Sequence, residues 1–247
     1  MRNLLLPASE KRKQFELRAL GLREFAGVTE DQPLDPFALA SFARLLVIDF
    51  DSIEGLSAES RTHLLGAAAD EWSGGACSRP LPNGWRLVIL NPAHGIQRNR
   101  ATLMEEVAHV FLGHKPNRLA AITGPISPSP LGRRSRGGVP DDASGPLSQT
   151  LSQRRGGTEQ ASEPEKKSAG RMLARDYNQT DEEAAYAVGA AALVPFGALR
   201  RLVMEGRNSR EIARHFRVSR QLAEYRIKVT HLWPEYKRTS ATRSEHV

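Results

Sequence analysis

Cysteine is almost absent from this sequence, which has a single one, Cys77, in 247 residues. One cysteine cannot form an internal disulfide, and it cannot build a zinc site that needs several thiolates. Any metal site in the chain must therefore use histidine and carboxylate side chains. The low cysteine content also predicts a reducing compartment, and we expect a cytoplasmic location.

Long apolar runs are missing as well. The longest stretch without a charged residue is 184–199, which is shorter than the roughly 20 residues needed to cross a bilayer and contains Pro195. The three leucines Leu4, Leu5 and Leu6 are not followed by the longer apolar core of a secretory signal. The sequence therefore predicts no membrane partner and no secretion.

Aromatic and large apolar residues are scarcest between residues 125 and 170. These 46 residues contain six prolines, seven glycines and eight serines, and they contain no aromatic residue. So few apolar side chains cannot offset the conformational entropy lost on folding, which is about 1–2 kcal/mol per residue. We therefore predict that 125–170 is a disordered insertion.

Charge is distributed unevenly along the chain. The formal net charge is +7, and residues 196–247 alone contain 12 lysines and arginines against 5 acidic residues. This last fifth therefore has the net charge of the whole chain. A basic surface of this kind is attracted to nucleic acids and to acidic proteins.

Apolar spacing indicates a mixture of helices and short strands. The predicted helices are 10–25, 58–72, 98–112 and 180–193, and the predicted strands are 45–48, 85–90, 119–122 and 172–177. The last two strands flank the insertion, which would then lie within a β-hairpin. The expected fold class is α+β.

One predicted helix contains the residues of a metal site. Glu105 and His109 are four residues apart and so lie on one helix face, with Glu106 about 100° around the axis. This is the HExxH arrangement of zinc hydrolases with glutamate in place of the first histidine; in that arrangement the central glutamate is the general base. The pattern predicts Glu105 and His109 as ligands and Glu106 as the catalytic base. His114 lies about 140° further around the same helix, and we expect it to face elsewhere.

Two stretches of the sequence together resemble the ImmA/IrrE family of metallo-endopeptidases. The first includes Asn91-Pro92-Ala93-His94, Arg98, Arg100-Ala101-Thr102-Leu103, Glu105-Glu106-Val107-Ala108-His109 and Leu112-Gly113-His114. The second matches the family's glutamate, small-residue helix and Leu-x-Pro ending, with Glu182, Ala185 and Leu193-Val194-Pro195. Alignment on Pro195 makes Glu182 the third ligand, and Glu183 is the alternative one position away.

The resemblance implies a small zincin-like fold in which a helix pair holds the metal beside a short twisted sheet. It implies hydrolysis of peptide bonds, and it implies a helix-turn-helix repressor as the candidate protein substrate. The implied core comprises residues 1–124 and 171–199, separated by the insertion at 125–170.

The glutamate at position 105 is the departure from the family pattern. Together, Glu105, His109 and Glu182 would formally neutralise a divalent ion, which lowers its Lewis acidity and weakens hydrolysis. Two carboxylates and one imidazole suit manganese or iron(II) as well as zinc, of which zinc is the first choice. The alternative is that Glu105 and Glu106 form ordinary ion pairs with Arg98, Arg100 or Arg171 and that His109 packs beneath Ala185.

The basic region contains a pattern typical of a helix-turn-helix unit, which we assign to residues 200–235. Ser209 and Ser219 are predicted N-caps of its two helices. The second helix would present Arg220, Gln221 and Glu224 to DNA bases. The alternative function is therefore a catalytically inactive relative that regulates transcription by binding DNA or protein through this unit. Residues 236–247 are predicted to be a flexible tail.

Overall fold

The computed structural model describes residues 5–77, 79–114, 119–122, 172–175 and 178–244, and the predicted insertion at 125–170 lies outside them. The described ranges form an α+β fold, as expected. The helices are α1 Glu10–Phe25, α2 Pro36–Phe42, α3 Ala58–Leu65, α4 Ile96–Phe111, α5 Gln179–Leu193, α6 Phe196–Met204, α7 Ser209–Phe216, α8 Arg220–Val229 and α9 Trp233–Ser244. The strands are β1 Leu45–Ile48, β2 Gly74–Ala76, β3 Arg86–Leu90, β4 Leu119–Ile122 and β5 Met172–Arg175, and a short 3-10 helix spans Phe50–Ser52.

Three of the strands form a small sheet with the order β1-β3-β2. β3 is the central strand, parallel to β1 and antiparallel to β2. Because β2 comes last in the strand order, it lies at one edge of this sheet. Val88 and Leu90 on the central strand are buried because α4 packs against it. The sheet thus supports one side of α4.

The other two strands, β4 and β5, pair as an antiparallel hairpin. Their register places Leu119 opposite Arg175 and Ile122 opposite Met172. The pairing predicted across the insertion is therefore confirmed, although the predicted strand at 172–177 ends at Arg175 within the described residues.

Small residues allow α4 and α5 to pack closely. Ala185, Val188 and Gly189 on α5 are buried, and the first two belong to the same apolar core as Leu103 and Met104 on α4. A Cβ atom added to Gly189 would lie 3.2 Å from the carbonyl oxygen of Met104, closer than most real contacts. The glycine therefore sets the distance between the two helices.

The helices α6 to α9 share this core instead of forming a separate one. Buried apolar residues of α6, α7 and α8 belong to the cluster that includes α1, α4 and α5. At the centre of this contact, Arg226 of α8 forms an ion pair with Glu16 of α1 at 2.7 Å, and both side chains are at most 3% exposed. The predicted boundary between residues 199 and 200 falls inside α6.

Two local predictions differ from the structure, and a third is confirmed. The helix predicted at 58–72 ends at Leu65, because the chain turns at Gly66. The N-cap of α7 is Asn208 and not Ser209: the Asn208 side chain accepts hydrogen bonds from two backbone N–H groups, and Glu211 completes a capping box. The N-cap predicted at Ser219 is confirmed.

Helix α9 continues through the predicted tail as far as Ser244. This helix is stabilised by tertiary contacts that composition does not reveal. The Tyr236 hydroxyl accepts a hydrogen bond from the backbone N–H of Ser209, and the Tyr236 ring stacks on Trp233. α9 therefore packs against the other C-terminal helices.

Among the described residues, no single helix is both long and apolar enough to cross a membrane. By length and composition alone, α5 and α6 together satisfy that requirement, but the chain bends by 53° between them. Most of α5 is buried inside the core of this fold.

Candidate metal centre

The first two candidate ligands are on α4, whose amphipathic pattern orients them. Leu103, Met104 and Val107 are buried, and the neighbouring face contains Glu105 and His109, whose ligand atoms lie within 4.8 Å of Glu182 on α5. Both of these polar residues are half-buried. The four-residue spacing thus produces the shared face that the sequence predicts.

The third candidate ligand is in the first turn of α5. The helix begins after Asn178, whose side-chain oxygen accepts hydrogen bonds from the N–H groups of Thr180 and Asp181. This cap places Glu182 one turn before Ala185, where α5 passes α4. Glu182 is 7% exposed.

The three side chains converge on one point between the helices. Glu105, His109 and Glu182 each offer a ligand atom, and these atoms all lie within 4.8 Å of one another. Nε2 of His109 is 3.4 Å from Oε2 of Glu182. Two ligands of a tetrahedral zinc ion, at bond lengths of about 2.0–2.1 Å, lie about 3.4 Å apart. The pair therefore already has the separation that such an ion requires.

Electrostatics at this point favour a cation. Burial alone lowers the pKa of His109, but the hydrogen bond and charge of Glu182, with the charges of Glu106 and Glu105, outweigh burial and raise that pKa above its ordinary value. An environment that stabilises a proton on the imidazole also stabilises a divalent ion. The donor set and its charge therefore fit a metal.

The structure separates the two adjacent glutamates of α5. Glu182 is directed toward His109, whereas the carboxylate of Glu183 forms an exposed ion pair with Lys11 at 2.8 Å. Consecutive helix residues differ by about 100° in direction, so only one of them can face α4. The geometry supports Glu182 as the ligand.

Two of the arginines that could neutralise the glutamates of α4 form ion pairs elsewhere. Arg98 forms its ion pair with Asp70, and Arg100 forms its ion pair with Asp35. Arg100 also donates to the backbone carbonyls of two other segments, so its guanidinium is directed away from the site. The third candidate, Arg171, lies outside the described residues.

Glu106, the predicted base, lies between α4 and the edge strand β2. It is 8% exposed, and its Oε1 would be 4.0 Å from a Cβ atom added to Gly75. Any larger side chain at position 75 would extend into the space beside this carboxylate. Gly75 of β2 thus lies directly beside the Glu106 carboxylate.

The expectation that His114 faces away from the site is wrong. Helix α4 ends at Phe111, and Gly113 has a φ of +69°. The N–H of His114 donates to the carbonyl of His109, and the N–H of Gly113 donates to the carbonyl of Val110; together these are the two bonds of a Schellman motif. The chain thus reverses, and Nδ1 of His114 lies 3.1 Å from Nδ1 of His109.

Asp181 lies on the far side of His114 and was not predicted to be part of the site. Its Oδ1 is 3.7 Å from Nε2 of His114. The sequence contained one signal for this arrangement, because a glycine directly after a helix marks a left-handed C-terminal turn. An ideal helix cannot be extrapolated past Gly113.

The residues predicted to contact DNA lie together on the outer side of α8. Arg220 and Gln221 are exposed. However, Arg220 donates to the carboxylate of Glu224 at 2.6 Å and to the hydroxyl of Ser209. Burial raises the pKa of Glu224, but the hydrogen bonds and charge of Arg220 outweigh it and the pKa is lowered. The cation and the anion thus neutralise each other within the helix.

Comparison of this chain with known protein families, with curated protein sequences and with solved structures finds no match. Function is therefore inferred from the geometry of the site. The main feature of that geometry is the convergence of Glu105, His109 and Glu182 from two helices.

Proposed function

We propose that this chain is a metal-dependent peptidase of the ImmA/IrrE type. The observation that carries the proposal is the group formed by Glu105, His109 and Glu182, whose ligand atoms lie within 4.8 Å of one another. The two α4 residues come from the motif that resembles the family, and Glu182 comes from the second matching stretch. Residues from two separate stretches of the sequence thus converge on one point.

These three residues would hold a divalent ion, and zinc is the first candidate. Two carboxylates and an imidazole are also suitable ligands for manganese and iron(II). When bound, the ion supplies Lewis acidity that lowers the pKa of a water molecule and polarises a peptide carbonyl. Because the ligands formally neutralise the ion, we expect this activation to be weaker than in a site with two histidines and one glutamate.

Glu106 would be the general base. It lies beside the proposed metal ligands, and its charge contributes to the raised pKa of His109, so the carboxylate is close to the centre. In this position it would accept a proton from the attacking water and then deliver that proton to the leaving amine. Weak activation by the metal makes this base more important.

The proposed substrate is a peptide in extended conformation. β2 lies at the edge of the described sheet next to Glu106, and its residues are Gly74, Gly75 and Ala76. An extended segment could pair with an edge strand through backbone hydrogen bonds. Small side chains on β2 would let that segment approach the carboxylate closely. The resemblance suggests a helix-turn-helix repressor as the protein that supplies the segment.

The test separates metal binding from catalysis. We expect wild-type protein to bind one zinc ion per chain and to cleave extended peptides in a library. In Glu106→Gln the zinc affinity should remain near the wild-type value, whereas cleavage should fall by about 10²–10⁴-fold because the base is lost. Glu59→Gln, on the first turn of α3, is the matched control and should change neither quantity.

Two outcomes would contradict the proposal. If wild-type protein binds no zinc, manganese or iron(II), the metal centre is refuted. If it binds metal but Glu106→Gln cleaves peptides as fast as the wild type, the assigned mechanism is refuted.

A further inference from the structure

Two histidine rings and two carboxylates form a continuous chain of contacts from the edge of the site to its centre. Oδ1 of Asp181 lies 3.7 Å from Nε2 of His114, and Nδ1 of His114 lies 3.1 Å from Nδ1 of His109. Nε2 of His109 lies 3.4 Å from Oε2 of Glu182. Each imidazole therefore has one neighbour on each of its two nitrogen atoms.

The metal-bound form allows only one arrangement of protons along this chain. A neutral imidazole has one N–H donor and one lone pair. If Nε2 of His109 gives its lone pair to a metal, Nδ1 of His109 must carry the proton and donate it to Nδ1 of His114. His114 then carries its own proton on Nε2, which faces Asp181.

The backbone holds His114 in the position that this arrangement needs. The Schellman motif at the end of α4 fixes the main chain of His114 relative to that of His109. The His114 side chain is only 13% exposed, and its ring meets the His109 ring edge-on with 5.1 Å between the centroids. The C-terminal turn of α4 therefore places His114 next to His109.

We propose that His114 is a positioning residue that accepts the Nδ1 proton of His109 and so directs Nε2 of His109 toward Glu105 and Glu182. Asp181 orients His114 in turn. This role toward the metal rests on the proposed function, whereas the hydrogen bond between the rings does not. Metal-ligating histidines usually have such an outer partner, and its loss typically lowers metal affinity about 10–100-fold.

The first experiment uses metal-free protein labelled with ¹⁵N at pH 8. Facing Nδ1 atoms that lie 3.1 Å apart hold one proton between them, in an N–H···N hydrogen bond. We expect a scalar ¹⁵N–¹⁵N coupling between the two Nδ1 atoms and an imidazole proton that exchanges slowly with water. In His114→Phe both signals should disappear while the backbone spectrum of α4 and α5 is retained.

The second experiment measures zinc affinity by competition with a chromophoric chelator. His114→Phe keeps a ring but removes the acceptor, and it should weaken zinc binding about 10–100-fold. His114→Asn places an amide oxygen where Nδ1 was, and it should restore most of the affinity. His63→Phe is the matched control, since His63 is exposed at the end of α3 and should leave the affinity unchanged.

The outcomes distinguish this inference from the proposed function. Absence of the coupling in metal-free wild-type protein overturns the inference whether or not metal binds. Equal zinc affinity in wild type and His114→Phe also overturns it, while leaving the metal centre intact. If wild-type protein binds no metal but shows the coupling, the proposed function fails and the hydrogen bond between the rings stands.

Discussion

Two helix pairs in this molecule contain charged residues, and they use them in opposite ways. In the pair α4–α5, Glu106 and Glu182 are buried, and His109 lies between carboxylates. In the pair α7–α8, Arg220 is 57% exposed and forms an ion pair within its own helix. Like charges are thus gathered at the first pair, whereas opposite charges neutralise each other at the second.

The difference agrees with the metal centre proposed between α4 and α5. Buried carboxylates that lie close together favour a cation beside them. The pair α7–α8 has no comparable cluster, and its buried Arg226 is matched by Glu16 in a structural contact.

The largest effect should come from breaking that structural contact. Arg226→Ala leaves Glu16 buried without its cation, and we expect the free energy of unfolding to fall by about 3–5 kcal/mol. Arg220→Ala, on the exposed face of the same helix, should cost about 1 kcal/mol or less. Chemical denaturation measures both. Equal losses would show that α8 does not dock on the core as described.

The next effect concerns the close approach of α4 and α5. Gly21→Ala on α1 should stabilise the protein by about 0.5–1 kcal/mol, because nothing lies within 4 Å of the added Cβ. Gly189→Ala has the same gain in helix propensity, but it forces a Cβ against the Met104 carbonyl. Its effect on the free energy of unfolding should therefore be less favourable than that of Gly21→Ala by about 1–3 kcal/mol. Zinc affinity should also fall in Gly189→Ala only. Identical behaviour of the two variants would refute the assigned packing.

A smaller effect is expected for duplex DNA. Because Glu224 neutralises Arg220, we expect Arg220→Ala to leave the affinity for a DNA duplex and its dependence on salt unchanged. Titrations at several salt concentrations measure this. A decrease of about one in the slope of log affinity against log salt would show that Arg220 contacts a phosphate, and the alternative function would gain support.

The smallest effect is a dependence of stability on pH. The lowered pKa of Glu224 means that its ion pair with Arg220 contributes stability above the unfolded-state pKa, and that this contribution is lost as the pH falls through the folded-state pKa. The pair is partly exposed, so the contribution should stay below about 1 kcal/mol. Glu224→Gln should therefore be less stable than wild type at pH 7, with the difference shrinking toward pH 3. A difference that does not change with pH would contradict this.

Helical spacing and a family resemblance together predicted the three residues that converge. The spacing of Glu105 and His109 places them on one face of any helix, whereas Glu182 was assigned through the resemblance to the ImmA/IrrE family, by alignment on Pro195. The hairpin strands β4 and β5 were also predictable, because apolar runs flank a segment that cannot build a core. These features depend on short stretches of sequence.

The features that were missed depend on turns and on distant contacts. His114 returns to His109 only because Gly113 reverses the chain, which helical periodicity does not describe. α9 is helical because Tyr236 bonds to Ser209 and Trp233 packs beside it, although its sequence resembles a polar tail. The composition changes at the predicted division at residue 199, but α6 spans that position and the apolar core includes residues on both sides of it.

The central claim is tested most directly by comparing two neighbouring glutamates. Glu182→Gln and Glu183→Gln remove the same charge one residue apart, but only Glu182 belongs to the convergent group. We predict that wild type and Glu183→Gln bind zinc with the same dissociation constant, measured by competition titration, and that Glu182→Gln binds it more than about 10-fold more weakly. Equal affinities in all three proteins, or no zinc binding in wild type, would contradict the account.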